Sequence, residues 1–267
     1  MDFFSELMND LSAMRESRPL VLNVTNYVVA NTNANALLAL GASPAMTHYS
    51  EDLEALTLYA GALVVNIGTP SRDFLEGVFT AGNVARQNSI PSILDPVAAG
   101  ATEVRTEASY RFLKECRPAV VRGNASEIMA LAGAGAVSKG ADSTRSADEA
   151  VQSAGELARM FHCTVSVSGE TDYITDGQTT YTVRGGHPMM PLVTGLGCTA
   201  SALTGAFVSV AQTPLRGAVE AMAVMSCAGA MAAAKAEGPG TLQLHFYDAL
   251  YALTEEDLRQ HVQVEEV

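Results

Sequence analysis

Residues 62–70 read ALVVNIGTP, an apolar run from Ala62 to Ile67 that ends at the turn signal Gly68-Thr69-Pro70. A short apolar run that is bounded by a turn and followed by a longer helical pattern is typical of a βα unit with a buried strand. The same succession of a short apolar run, a turn and a helical pattern recurs before and after this stretch. Comparable runs lie at Leu20–Val24, Ser92–Leu94, Ala119–Val121 and Thr164–Val167. This alternation predicts an α/β fold with a mostly parallel central sheet flanked by helices.

The pattern changes after the run at 164–167. Asp172–Thr175 and Thr179–Val183 alternate β-forming residues on either side of an Asp176-Gly177 turn, which predicts a hairpin that adds an antiparallel edge to the sheet. Helices rich in small residues are then expected at Gly197–Val210 and Leu215–Ala236, with a last helix near Leu242–Leu253. No linker, low-complexity tract or repeat interrupts the chain, so we expect one domain over residues 1–267.

The charge of the chain limits its partners. Among 267 residues, 29 are acidic and 16 are basic, which gives a formal net charge of −13 at pH 7. Such a field repels nucleic acids and anionic membranes, so we expect neither as a partner. A substrate that carries phosphates must then be met by local donors and a divalent cation. The composition therefore points to a metal requirement.

Cysteine usage and the N-terminus suggest a soluble cytoplasmic protein. The four cysteines include no CxxC pair and no cluster with histidine at zinc-finger spacing. The N-terminal run MDFFSELMNDLSAMRESR carries acids and has apolar residues at helical spacing, unlike a signal peptide. Gly, Ser and charged residues interrupt the apolar stretches that could otherwise cross a membrane.

The turn signals follow the predicted strands at their carboxyl ends, where open α/β sheets bind ligands. Asp95 precedes Pro96 at one such end, where it either fixes the turn or, as an exposed carboxylate, helps to hold magnesium. Arg122 follows a buried run and is either a structural ion-pair residue or a bidentate phosphate contact. Asn124 and Glu127 have the spacing of a capping box at a helix start.

The stretch TGLGCT at residues 194–199 lies directly before an apolar helix. Its glycines allow a tight turn with free N–H groups, and the helix N-terminus adds a partial positive charge, so the stretch is either an anion cradle or a packing turn. Cys198 falls in the first helical turn, where the dipole can lower a thiol pKa. The alternative for Cys198 is a small buried apolar residue.

The same stretch also fits G-x-G-x-x-A, with Gly195, Gly197 and Ala200, and Glu220 lies at a distance that suits a dinucleotide-binding acid. That fingerprint should open a βαβ unit with the acid at the end of a second strand. Glu220 instead falls inside a predicted helix near the end of the chain. We therefore set the dinucleotide interpretation aside.

Seven segments occur in one order along the chain: VTNYVVANTNANALLALGASPAM, NIGT, ILDPVAAGA, RGNASEIMALAG, VSVSGETDYITDG, VTGLGCTASALTGAF and EGPGT. In these segments the chain resembles the hydroxyethylthiazole kinase family over nearly its whole length. The resemblance implies a ribokinase-like fold and ATP-dependent phosphorylation of the hydroxyl of 4-methyl-5-(2-hydroxyethyl)thiazole in thiamine salvage. It also implies Mg²⁺ and a homotrimer with thiazole pockets at the subunit boundaries.

The resemblance assigns the reacting hydroxyl and the thiazole to four positions. Cys198 matches the catalytic position of the family's G-T-G-C motif, where other ribokinase-like kinases carry an Asp base. Gly195 and Met46 match thiazole-contact positions, and Asn26 lies in a segment expected to border the thiazole. A lone Met is otherwise more often a core residue, although its thioether suits an aromatic ligand.

The nucleotide side is assigned in the same way. Arg122 and Ser168 match nucleotide-contact positions, and Glu127 would face the metal and phosphates, so Asp95 and Glu127 form our predicted metal pair. The anion hole is expected to consist of Gly195, Leu196, Gly197 and Cys198.

The sequence departs from the family pattern at two places. Leu196 replaces the Thr of G-T-G-C, which removes a hydroxyl but keeps a backbone N–H, and Ser168 replaces a common Thr. Two other functions stay open at this point: a hydroxymethylpyrimidine-type kinase on the same fold, and a protein that binds a nucleotide or thiamine precursor without catalysis.

Overall fold

The computed structural model describes residues 2–133 and 147–267. Its strands form one nine-stranded sheet. They are β1 Leu20–Val24, β2 Ser43–Met46, β3 Ala62–Asn66, β4 Ser92–Asp95, β5 Val120–Asn124, β6 Thr164–Ser168, β7 Thr171–Thr175, β8 Thr180–Arg184 and β9 Gln263–Glu266. Their order across the sheet is β2-β1-β3-β4-β5-β6-β7-β8-β9. Neighbours are parallel from β2 to β6 and antiparallel from β6 to β9.

Helices cover both faces of this sheet. They are α1 Phe3–Ser17, α2 Ala30–Leu40, α3 Ser50–Tyr59, α4 Arg72–Gln87, α5 Glu103–Cys116, α6 Ala125–Leu131, α7 Ala147–Phe161, α8 Leu196–Val208, α9 Pro214–Ala233, α10 Pro239–Ala252 and α11 Glu255–His261. Among the described residues, α9 alone is long and apolar enough to cross a membrane, and it is mostly buried in the protein.

The predicted α/β fold with a mostly parallel sheet and an antiparallel hairpin is confirmed. The apolar runs became β1, β3, β4, β5 and β6, and the hairpin is β7-β8. Two strands were missed. β2 and β9 are the outermost strands, and β9 pairs with β8 on the far side of the hairpin. The antiparallel edge is thus one strand wider than predicted.

Adjacent residues of a strand pack into different apolar layers. Val21 and Val64 face the layer that contains α8 and α9, whereas Leu22 and Leu63 face the layer beneath α4 and α5. Parallel strands that are covered on both faces need apolar side chains on both sides, which explains their nearly continuous apolar runs.

Small residues bring α8 close to the sheet. A Cβ atom built on Gly205 would lie 2.5 Å from Val64 Cγ2 and 3.2 Å from Val21 Cγ1, so only glycine fits there. The loop before α8 also returns to the carboxyl end of the parallel strands, since Gly195 lies against Val29 beyond β1. The fold therefore places the N-terminus of α8 at the edge where ligands bind in such sheets.

Candidate active site

Gly195 forms the N-cap of α8 in a conformation that favours glycine. Its φ is +87°, and a Cβ atom there would lie 2.6 Å from Val29 Cγ1. The first intrahelical bond joins the Thr199 N–H to the Gly195 carbonyl at 2.8 Å, so the amides of residues 196–198 lack helical acceptors. These amides are the ones that the sequence predicts to form an anion cradle. Leu196 is buried in the apolar layer and does not line the cradle with its side chain.

Arg122 links the cradle to β6. Its Nη1 donates to the Gly197 carbonyl at 2.9 Å, and its Nη2 donates to Ser168 Oγ at 2.7 Å. Only 7% of Arg122 is exposed, and Nε is buried without a hydrogen-bond partner within the described chain. Both of these hydrogen bonds go to neutral groups, so among the described residues no carboxylate is hydrogen-bonded directly to the guanidinium.

Cys198 stands in the first turn of α8 and is partly exposed. Asn26 Nδ2 donates to its Sγ at 3.7 Å, which brings the predicted thiazole segment to the predicted catalytic position. Burial and the charge of Asp95 raise the pKa of the Cys198 thiol to about 11. Burial therefore outweighs the lowering that the helix dipole could give, and Cys198 is a neutral thiol near pH 7.

Asp95 is 2% exposed, so the expectation of an exposed carboxylate is also wrong. Its Oδ2 accepts hydrogen bonds from Asn66 Nδ2 at 2.7 Å and from Ser201 Oγ at 2.8 Å. Burial raises the pKa of Asp95 to about 6, the charge of Arg122 lowers it, and the charge of Glu127 raises it further. The side chain takes part in a buried polar network and does not fix the turn.

The side-chain amide of Asn66 links that network to Asn26, which in turn contacts Cys198 at the cradle. Asn66 Oδ1 accepts from Asn26 Nδ2 at 2.7 Å, while Asn66 Nδ2 binds Asp95. Sequence reasoning missed both Asn66 and Ser201. Asn66 ends β3 at the ligand edge, and Ser201 lies one helical turn after Cys198, which are the signals that could have identified them.

The predicted capping box at Asn124 and Glu127 is present. Glu127 Oε2 accepts from the Asn124 N–H at 2.8 Å, and Oε1 accepts from the Ala98 N–H at 2.8 Å. These two bonds orient a nearly buried carboxylate and leave lone pairs on both oxygens.

Glu127 lies close enough to Asp95 for its charge to raise the pKa of Asp95, and a divalent cation would offset this repulsion. Residues 2–133 and 147–267 hold no set of three His, Cys, Asp or Glu side chains that could bind a metal. Two carboxylates suit magnesium, which is usually held by one or two protein carboxylates together with substrate phosphates and water.

Met46 ends β2, one strand outward from β1, where it pairs in register with Asn23. It is partly exposed. Tyr27 and Val28 follow Asn26 and are 81% and 57% exposed. The residues predicted to contact the thiazole therefore lie toward the β2 edge of the sheet, whereas Arg122 lies near its centre.

The chain was compared with known proteins. The model of the hydroxyethylthiazole kinase family matches residues 11–256. A hydroxyethylthiazole kinase of Nitratidesulfovibrio vulgaris (strain Miyazaki F) is 49% identical over 264 residues, which cover 99% of each chain. One from Granulibacter bethesdensis is 51% identical over 249 residues, which cover 93% of this chain and 90% of the relative.

Solved structures agree with this match. The hydroxyethylthiazole kinase protein from Pyrococcus horikoshii superposes with a TM-score of 0.91 at 41% identity, covering 98% of this chain and 99% of that one. A Staphylococcus aureus pyridoxal kinase in complex with ADP shares the fold at a TM-score of 0.68 and 18% identity, covering 93% and 99% of the two chains. The family model, the curated relatives and the solved structure at 41% identity all agree, so the chain belongs to the hydroxyethylthiazole kinase family.

Proposed function

We propose that this chain transfers the γ-phosphoryl group of ATP to the hydroxyl of 4-methyl-5-(2-hydroxyethyl)thiazole, a step of thiamine salvage. One observation carries the proposal: the α8 cradle, the Arg122 guanidinium and the Cys198 thiol meet at the carboxyl edge of the sheet. Phosphoryl transfer to an alcohol needs two reactants in line and neutralisation of the transferred charge, with little covalent work by the protein. The cradle amides and Arg122 supply that neutralisation.

The two substrates take opposite sides of the cradle. Ser168 and Arg122 bind the nucleotide phosphates on the β5-β6 side, where the Ser168 hydroxyl already pairs with Arg122. Asn26, Met46 and Gly195 border the thiazole on the β1-β2 side. The γ-phosphoryl group then lies over the amides of the predicted anion hole, between the two substrates.

Cys198 contacts the reacting hydroxyl as a neutral thiol. A loose transition state leaves the hydroxyl proton in place until late, so a strong base contributes less here than correct positioning does. The hydrogen bond from Asn26 to Sγ holds the thiol beside the cradle. In this proposal Cys198 orients the alcohol, and its neutral thiol does not serve as the base.

Within this function we also propose that the site binds magnesium. Asp95 and Glu127 would hold it, and it would neutralise phosphate charge when bound. The test is the magnesium dependence of the rate in Asp95→Asn and Glu127→Gln. Each neutral variant should require more magnesium than the wild type, and an unchanged requirement in both would rule out this pair.

We also propose a homotrimer of single-domain chains with thiazole pockets at the subunit boundaries, working in the cytoplasm. The thiazole side supports it, because Tyr27 and Val28 expose apolar surface beside Asn26. Exposed apolar groups next to a binding site commonly mark an interface. Light scattering of the purified protein measures the number of subunits directly.

The decisive experiment incubates the purified protein with ATP, magnesium and 4-methyl-5-(2-hydroxyethyl)thiazole, and detects products by mass spectrometry. A pyrimidine alcohol is run in parallel. Thiazole phosphate alone supports the proposal, and pyrimidine phosphate would favour the hydroxymethylpyrimidine-type kinase. Binding of ATP without either product would favour a binding protein.

A further inference from the structure

Arg105 occupies a position that local helix preferences disfavour. It is the third residue of α5, at the positive end of the helix dipole, where a cation is unfavourable. Its guanidinium nevertheless makes three hydrogen bonds to carbonyl oxygens. Nη1 donates to Ile67 and Val97, both at 3.1 Å, and Nη2 donates to Gly68 at 2.9 Å. A residue that opposes a local preference often serves a site.

The three carbonyls belong to the loops that follow β3 and β4. These loops come directly after Asn66 and Asp95, whose side chains are hydrogen-bonded to each other. The Gly68 N–H also donates to Asn66 Oδ1 at 3.0 Å, so the clamped loop itself orients the Asn66 amide. Arg105 thus ties together the two strand ends that carry the polar network around Asp95.

One of the three carbonyls, that of Val97, belongs to a peptide unit whose C=O and N–H are both hydrogen-bonded to side chains. Arg105 binds the Val97 C=O, and the N–H of the same peptide unit, which belongs to Ala98, donates to Glu127 Oε1 at 2.8 Å. Ala98 has a φ of +59°, a region that residues with a Cβ disfavour. Rotation of this peptide would relieve Ala98 and turn its N–H away from Glu127.

We propose that Arg105 is a positioning residue for phosphoryl transfer. By holding the 97–98 peptide and the 67–68 loop, it fixes the Glu127 carboxylate and the Asn66–Asp95 pair in the orientation that receives the metal and the phosphates. The guanidinium suits this task because its fork reaches two loops at once, whereas an ammonium acts as a point. The kinetic consequences rest on the proposed thiazole kinase function, and the orientation of the peptide does not.

The kinetic test compares Arg105→Ala and Arg105→Lys with Arg111→Gln. Arg111 lies on the same helix, is exposed, and pairs with Glu115 at 2.9 Å. Loss of an outer residue that orients metal ligands typically costs about 10- to 100-fold in activity or metal affinity. We expect that loss in kcat and in apparent magnesium affinity for Arg105→Ala, a partial loss for Arg105→Lys, and no change for Arg111→Gln. The KM for the thiazole should change less than kcat, because Gly195 is untouched and Asn26 meets the clamped loop through Asn66 and Gly68.

A second variant separates positioning from general damage. Glycine adopts positive φ without a steric penalty, so Ala98→Gly added to Arg105→Ala should recover part of kcat. Hydrogen exchange in peptides that cover residues 95–100 reports the peptide orientation without any activity. Exchange should be faster in Arg105→Ala than in the wild type, and slower again in the double variant.

Three results would overturn the proposal: wild-type kcat in a folded Arg105→Ala protein, unchanged exchange at residues 95–100, or a double variant no better than Arg105→Ala. If the wild type itself does not phosphorylate the thiazole, the proposed function fails. The exchange measurement still decides whether Arg105 orients the peptide.

Discussion

Replacing Cys198 tests how the alcohol loses its proton. Burial and the charge of Asp95 raise the pKa of the thiol to about 11. At pH 8 about one Cys198 side chain in a thousand is then ionised to the thiolate. A thiolate base would make the rate rise about tenfold per pH unit up to that pKa, and its removal would cost about 100- to 10,000-fold. A thiol that only positions the hydroxyl predicts neither effect.

We therefore expect Cys198→Ala to lose about tenfold or less in kcat, the size of a lost neutral hydrogen bond. Cys198→Asp should keep or raise turnover, because a carboxylate can act as the base that the thiol does not provide. The advantage in kcat of Cys198→Asp over the wild type should increase with pH. The charge of Asp95 raises the pKa of a carboxylate placed beside it, so the new carboxylate is ionised less at low pH. The assay is steady-state thiazole phosphate formation from pH 6 to pH 10 at saturating ATP and magnesium.

Cys163→Ala is the matched control, because Cys163 is a buried thiol just before β6, at the opposite end of the strand from Ser168. Its activity should equal that of the wild type. The reasoning would be refuted by a wild-type rate that rises log-linearly to pH 10 and a rise that disappears in Cys198→Ala. Complete loss of activity in a folded Cys198→Asp protein would refute the expectation for that variant.

Three further predictions concern the cradle and the core. Gly195→Ala forces a Cβ to within 2.6 Å of Val29 Cγ1 at a φ of +87°, so the cradle must move and kcat/KM should fall about 100-fold. Gly240→Ala is the control, because its Cβ meets no described atom within 4 Å, and it should leave kcat/KM unchanged. Leu196→Thr should lower the free energy of unfolding by about 1–3 kcal/mol in chemical denaturation while kcat changes little, because this side chain packs in the core. Burial raises the pKa of Glu220 to about 8, so its protonated form stabilises the fold below about pH 4.5 and that stability is lost as the pH rises through 8. The free energy of unfolding of Glu220→Gln should therefore fall less between pH 4.5 and pH 8 than that of the wild type, as measured by denaturant unfolding at each pH.

The buried centre of the sheet could be predicted from the sequence because its strands must be apolar on both faces. β1, β3 and β6 are almost entirely buried and appeared as runs. β2 and β9 lie at the edges, where a strand need not be apolar, and all of their residues keep some exposure. β2 also contains Pro44, which is tolerated at an edge but weakens the strand pattern.

Local patterns likewise identified those parts of the site that depend on neighbours in sequence. The capping box at Glu127 and the glycine turn before α8 are local, and both are present. The burial of Asp95 was mispredicted and the pKa of Cys198 was left open, because both depend on residues from other elements. Burial raises both pKa values, and neither the spacing of cysteines nor a turn motif carries that information.

The charge of the site offers an account of how so acidic a chain accepts ATP. Arg122 gives one positive charge, and Asp95 and Glu127 give two negative charges when both are ionised, so the carboxylates exceed the cation before any ligand arrives. Free ATP would add to that excess, and the net charge of −13 opposes it from a distance as well. A divalent cation reverses the local balance, because it converts the paired carboxylates from a repulsive group into ligands. The proposed function therefore favours entry of ATP together with its metal ion, with Arg122 and the cradle amides left to bind the oxygens that the metal does not cover.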